Sequence, residues 1–278
     1  MLVDKPAGMT SHDVVARARR VLGERSIGHT GTLDPFATGL LVLLVGKGTR
    51  VARFLDGLGK TYLATALLGQ RTATDDLTGA PVGPAHEGPW PTREEIAGAL
   101  AGFLGVQGQT PPAYSARKQQ GERAYVRARR GESVELAPSE VTVYQAELLS
   151  VEGAEVTFRV TVSTGTYVRA IARDLGERLG TGAHLTALRR ESIGSLRVED
   201  ALPLDDLVPG TPLWPLGAVL SHLPRVPLDE AGRVDVGHGR AVEGVVSGTA
   251  VLLAGNEVIA VAEGDGRWLR PTVVLAAP

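Results

Sequence analysis

Gly28-His29-Thr30-Gly31-Thr32-Leu33-Asp34-Pro35-Phe36-Ala37-Thr38-Gly39 leads without a break into the apolar run Leu40–Val45. Pro35 disfavours the α region for the residue before it, which holds Asp34 extended. The glycines allow left-handed backbone angles or a close approach to a ligand. A carboxylate presented this way, with His29 upstream and a strand behind it, suits a nucleophile that attacks and later leaves. An Asp-Pro pair on its own equally well opens a turn. The run Leu40–Val45 shows no alternation, so it reads as a strand covered on both faces.

Upstream, Thr10-Ser11-His12-Asp13 offers a helix cap, and Val14, Val15, Ala18, Val21 and Leu22 follow at helical spacing until Gly23. Downstream, Lys60–Leu68 alternates as a strand, with Tyr62 on one side and Thr61, Leu63, Thr65 and Leu67 on the other. Thr92-Arg93-Glu94-Glu95 is a capping box before Ile96, Ala99, Leu100, Phe103 and Leu104. Val141–Val151 and Glu155–Val162 predict two more strands, and Ile171, Leu175 and Leu179 mark a helix after Gly165-Thr166. Beyond a proline- and glycine-rich stretch, Thr249–Leu253, Val258–Ala262 and Thr272–Leu275 are short β-like runs. Without a strict βαβ repeat, the pattern predicts an α+β fold: a mixed, mainly antiparallel sheet flanked by helices, then a small C-terminal β-barrel. The expected division is a catalytic domain over 1–202 with an insertion at about 109–138, a linker over 203–224, and the barrel over 225–278.

At 278 residues the chain has room for about two domains. It has no cysteine, which removes disulfides, thiolate catalysis and cysteine-held metal clusters. Its six histidines show no His-Glu-x-x-His spacing, so no metal is expected. Met1–Pro6 carries Asp4 and Lys5 with no leader-like apolar core, and the longest apolar run is too short for a bilayer. A soluble cytoplasmic protein without membrane contact is expected. The net charge of −2 gives no global pull on nucleic acid, yet phosphate contact needs only one basic face. Arg117, Lys118, Arg123, Arg127, Arg129 and Arg130 stand against the single acid Glu122, with Tyr114 and Tyr125 in or beside them. Charge neutralisation with stacking suits RNA. A solvated helix face would carry the same charges.

Motifs spread along nearly the whole chain resemble those of the TruB-type pseudouridine synthases, which act on the T-loop of transfer RNA. They are Asp4-Lys5-Pro6-Ala7-Gly8-Met9-Thr10-Ser11, the Asp34 loop, Lys60-Thr61-Tyr62, and Gly69-Gln70-Arg71-Thr72 through Asp75-Asp76. Gln109-Thr110-Pro111-Pro112-Ala113-Tyr114-Ser115-Ala116-Arg117-Lys118, Gly165-Thr166-Tyr167-Val168-Arg169 and Ala183-His184-Leu185-Thr186-Ala187-Leu188-Arg189-Arg190 complete the set. The resemblance implies the pseudouridine synthase fold with a PUA-like RNA-binding domain at the C-terminus. It also implies a monomer that isomerises the T-loop uridine, position 55, without a cofactor, gripping the T-arm stem-loop of tRNA. The base is flipped out, its C–N glycosidic bond is cut, and the rotated uracil rejoins through carbon.

By this resemblance Asp34 is the nucleophile, Arg169 its charge partner, and Tyr62 the residue that stacks on the uracil and helps move the C5 proton. Tyr167 and Leu188 wall the pocket, Asp76 organises the cleft, and His29 fills the space left by the flipped base. Lys118, Arg127 and Arg130 contact RNA from the mobile insertion. The residues themselves leave other roles open. Tyr62 would serve equally as a half-buried strand tyrosine, Leu188 as core, and Asp75 stands beside Asp76 as a rival carboxylate. Two other functions fit part of the pattern. One is an RNA-binding tRNA folding factor in which modification is incidental. The other is a glycoside hydrolase, which wants a second carboxylate at fixed separation, and the Asp34 loop offers one only.

Overall fold

The computed structural model describes residues 1–276 except 116, 120, 121, 124–126, 128, 129, 131 and 133–135, with backbone alone for 118, 119, 122 and 123. These residues form two compact units, one of Met1–Pro35, Gly39–Gly57 and Gly194–Pro278, the other of Phe36–Thr38 and Leu58–Ile193.

The first unit opens with β1 (Leu2–Lys5), α1 (Ser11–Leu22), β2 (Ile27–Thr30) and β3 (Thr38–Val45). The α1 cap is reciprocal: Thr10 Oγ1 accepts from the Asp13 amide, and the Asp13 carboxylate accepts from the Thr10 amide at 2.9 Å. Gly23 ends the helix in the left-handed region at φ 65°. Val14, Val15 and Ala18 share a core with Val3, Leu41 and Leu43. β1 and β2 both pair antiparallel with β3, Leu2 opposite Val42 and His29 opposite Leu43. Gly39–Leu44 is buried throughout, which explains why its apolar residues do not alternate.

The second unit contains β4 (Lys60–Leu68), β5 (Arg71–Thr72), β6 (Pro81–Val82), α2 (Arg93–Ala101), β7 (Gly105–Gln109), β8 (Lys118–Gln119) and β9 (Glu122–Arg123). It continues through β10 (Ser139–Glu152), β11 (Glu155–Val162), α3 (Val168–Arg178) and β12 (Ala183–Ile193). Its main sheet runs β12-β4-β11-β10-β7, each neighbour antiparallel. Alternation sets Tyr62, Ala64 and Ala66 beside Val160, Phe158 and Val156, all buried. On the other face hydroxyl pairs join the strands, Thr61 to Thr161 at 3.1 Å and Thr65 to Thr157 at 3.2 Å. α3 packs on β4 and β12, and a Cβ at Gly176 would collide with the Gly182–Ala183 backbone, so only glycine allows that approach.

α2 stops at Ala101, so Phe103 is buried from beyond the helix and Leu104 is exposed instead of joining its apolar face. β12 is a long strand that its residue pattern does not announce, because bulges after Leu185 and Arg190 shift the alternation.

The chain re-enters the first unit through β13 (Leu196–Arg197) and β14 (Leu202–Pro203), the latter parallel to β1. One apolar helical turn, Leu216–Val219, falls within the proline-rich stretch. Then come β15 (Arg225–Pro227), α4 (Glu230–Gly237), β16 (Val242–Glu243), β17 (Ser247–Ala254), β18 (Glu257–Asp265) and β19 (Trp268–Val274). They form a five-stranded sheet ordered β15-β17-β18-β19-β16. Val236 of α4 packs with Ala250, Leu252, Ala260, Ala262 and Leu269. The apolar runs predict β17 to β19. α4 is invisible in its glycine- and charge-rich sequence and rests on the Asp229 cap, which accepts the Gly232 amide at 2.7 Å, and on the burial of Val236.

Candidate active site

In the first unit the Asp34 loop is pinned from both sides. Lys5 is wholly buried at the end of β1, and its ammonium donates to the carbonyls of Pro6 (2.8 Å), Met9 (2.6 Å) and Pro35 (3.3 Å). Three acceptors match its three donors, which offsets the cost of removing the charge from water. Pro35 O also accepts the Gly8 amide at 2.8 Å. On the other side, Ser11 Oγ accepts the Leu33 amide at 2.9 Å and donates to the Leu33 carbonyl at 3.3 Å. Both neighbours of Asp34 are therefore fixed to the N-terminal segment, and Asp34 between them is half-buried. His29 is also half-buried, and its ring meets that of His12 edge-on, with centroids 5.4 Å apart.

The second unit holds the remaining residues. Tyr62 is buried at the middle of the sheet, between Val160 and Arg190. The bulge after Leu185 returns Leu188 and Arg190 to the buried side of β12, with Leu188 opposite Ala64. Tyr167 is the N-cap residue of α3, and Gln109 clamps its backbone in both directions. The Tyr167 amide donates to Gln109 Oε1 at 2.8 Å, and Gln109 Nε2 donates to the Tyr167 carbonyl at 3.1 Å.

Arg169, on the first turn of α3, is 4% exposed. Its guanidinium donates to the carbonyls of Thr74 (2.8 Å) and Tyr114 (3.0 Å) and lies 3.6 Å from Asp76 Oδ2. Asp76 Oδ1 accepts from the Thr74 hydroxyl (2.7 Å) and from the Thr78 amide (2.9 Å) and hydroxyl (2.5 Å). Asp75 takes a left-handed φ of 58°, which Asp tolerates, and pairs with Arg173 at 3.2 Å. Geometry thus separates the two carboxylates: Asp76 faces Arg169 and Asp75 faces Arg173. Burial pushes the Asp75 carboxyl up, and the charges of Arg173, Arg169 and Arg71 offset this only in part.

The basic stretch begins as a hairpin, Lys118 opposite Arg123, not as a helix face. The Lys118 side chain, and Tyr125 and Arg129 entirely, lie outside the described residues. Arg127 and Arg130 each reach Glu132 at 2.8 Å, and the hydrogen bond from Arg127, then the Arg130 charge, hold that carboxyl below its usual value. Gln109, Arg173 and His12 carry no role in the sequence reading. Their partners are remote in the chain, and the only signal is their place inside or beside motifs already singled out.

The fold places the protein among the pseudouridine synthases. It superposes on a solved Cbf5–Nop10–Gar1 complex with a TM-score of 0.74 at 27% identity, over 99% of this chain and 85% of that one. An H/ACA RNP bound to a substrate RNA containing 2′-deoxyuridine matches equally, at 0.74 and 25% identity, over 99% and 84%. Residues 19–168 match the TruB family pseudouridylate synthase N-terminal domain, and residues 169–214 match the tRNA pseudouridylate synthase B C-terminal domain. tRNA pseudouridine synthase B of Thermobifida fusca is 45% identical over 99% of this chain and 98% of its own, and that of Geobacter sulfurreducens is 42% identical over 98% and 95%. The chain belongs to the TruB family of pseudouridine synthases.

Proposed function

We propose that this protein isomerises the T-loop uridine, position 55, of tRNA to pseudouridine, with Asp34 as nucleophile. The N1–C1′ bond breaks, a C5–C1′ bond forms, the C5 hydrogen passes to solvent and N1 takes a proton. Electrons balance without an oxidant, so the chemistry asks for no cofactor. Asp34 traps the electrophilic carbon and leaves again. Arg169 keeps the carboxylate ionised, Tyr62 stacks on the uracil and relays the C5 proton, and Tyr167 and Leu188 close the pocket wall. Asp76 orients Arg169. Extruding the base costs a few kcal/mol of stacking, and His29 occupies the vacated place.

Lys118 meets phosphate, as do Arg127 and Arg130 once Glu132 gives way. The 1–202 segment is read as the catalytic domain, 203–224 as a linker, and 225–278 as a PUA-like domain adding further RNA contact. Relatives named tRNA pseudouridine synthase B support tRNA as substrate, and a monomer acting in the cytoplasm fits that substrate.

The observation that carries the reading is the pairing of restraint with chemistry: a carboxylate on a loop tied by Lys5 and Ser11, and an arginine buried on carbonyls and Asp76. Tritium at C5 of the T-loop uridine tests it. The wild type should release tritium to water, and Asp34→Asn should bind the RNA without releasing any. Release by Asp34→Asn at the wild-type rate, or free uracil in the product, overturns the assignment. A folding-factor role alone predicts RNA remodelling that Asp34→Asn leaves untouched and no tritium release from either protein.

A further inference from the structure

The geometry points to Arg173, with Asp75 as its counter-charge, as a positioning residue that fastens the base of the RNA-gripping insertion to the helix bearing Arg169. The inference rests on the reaction proposed above. Arg169 and Arg173 are one turn apart on α3 and share a face. Each donates to a main-chain carbonyl at the start of the insertion, Arg169 to Tyr114 at 3.0 Å and Arg173 to Thr110 at 2.9 Å. With the Gln109 clamp on Tyr167, four hydrogen bonds join residues 109–114 to the beginning of α3.

Arg173 is held from its other side as well. Its Nη1 lies 3.2 Å from Asp75 Oδ2 and its Nε 2.8 Å from Asp174 Oδ1. The same turn that presents Asp75 presents Asp76 to Arg169. The Asp75 carbonyl accepts the Leu185 amide at 3.0 Å, tying that turn to the strand that carries Leu188. Two arginine–aspartate pairs therefore link one helix face, one turn and one insertion. Removing Arg173 frees the Thr110 end of the insertion and takes from a nearly buried carboxylate its hydrogen-bonded cation, leaving only the charges of Arg169 and Arg71, and the turn relieves this by moving. Asp76 moves with it, and so does the guanidinium it orients.

A misplacement of about 1 Å remote from the reacting atoms can cost on the order of 100-fold in rate. The test is single-turnover tritium release, with enzyme in excess over C5-tritiated T-arm RNA, alongside a separate binding titration and a thermal melt. Arg173→Ala should slow release about 10- to 100-fold while the dissociation constant stays within about twofold of wild type. Asp75→Asn keeps a residue that accepts left-handed φ and deletes only the charge, so it should slow release in the same direction by less. Arg173→Lys retains the charge without the planar fork and should recover part of the rate.

A purely structural role would lower the melting temperature and the active fraction while leaving the rate per active enzyme alone. Rates within about twofold of wild type for Arg173→Ala and Asp75→Asn, or a loss confined to RNA affinity, overturn the inference. If Arg173→Ala does not melt cooperatively, Asp75→Asn and Arg173→Lys decide the matter by the same criteria. A wild type that releases no tritium refutes the proposed reaction, and the inference falls with it.

Discussion

Replacing Lys5 by methionine deletes a buried ammonium while keeping the length of its stem. Three carbonyls lose a donor, but Pro35 O retains the Gly8 amide. The loss therefore falls on Pro6 O and Met9 O. Pro6 is exposed, so water takes over its carbonyl, and only the half-buried Met9 O approaches the cost of about 1–3 kcal/mol for an unmet buried acceptor. Relief of the ammonium's own desolvation cost pulls this toward the lower half, about 1–2 kcal/mol. At about 2–4 °C per kcal/mol for a protein of this size class, the melting midpoint should fall by roughly 2–8 °C. Pro35 also loses its tether to β1, so the Asp34 carboxylate wanders and single-turnover tritium release slows more than RNA binding weakens. Differential scanning calorimetry with the tritium assay reads both quantities. A midpoint within about 1 °C of wild type, together with unchanged release, would refute the claim that Lys5 holds the Asp34 loop.

Arg169→Ala should abolish turnover with little loss of RNA affinity; normal turnover with tenfold weaker binding would make it an RNA-gripping residue instead. Neutralising Lys118, Arg127 and Arg130 together should flatten the dependence of RNA binding on salt, and an unchanged slope places them away from phosphate. Glu132→Gln releases Arg127 and Arg130 from their shared acid and should steepen that slope, tightening binding most at low salt. Asp265 is held at about 2, below its ordinary 3.8, by Arg270 and by the amides of Trp268 and Arg267. Because the folded value is depressed, its stabilising effect is complete above about pH 5 and is lost as pH falls through 3.8 toward 2. The gap in urea midpoint between wild type and Asp265→Asn should therefore be constant from neutral pH to about pH 5 and narrow below it. A gap that does not change down to about pH 3 contradicts the assignment.

Short-range signals in the chain proved readable because the interactions behind them span only a few residues. Thr10 with Asp13 and Thr92 with Glu95 form the caps that their spacing announces. The alternation in Lys60–Leu68 and Glu155–Val162 became β4 and β11 because one face of each strand is buried. Where a local pattern was broken, reading stopped. The bulges of β12 and the weakly apolar α4 depend on neighbours that lie far along the chain.

The same line divides the candidate site. Motifs alone mark Asp34, Tyr62, Arg169 and the basic insertion as candidates, since each motif is a contiguous run. Which of two adjacent aspartates meets Arg169 was settled only where α3 approaches a turn some ninety residues earlier, as in the Arg169 contact to Thr74, 95 positions away. The saturated ammonium of Lys5, the Gln109 clamp and the capture of Arg127 and Arg130 by Glu132 likewise belong to tertiary structure. Side-chain identity states what a group can donate or accept. Which partner it finds depends on how the chain brings distant carbonyls and carboxylates within about 3 Å, and no one-dimensional spacing encodes that.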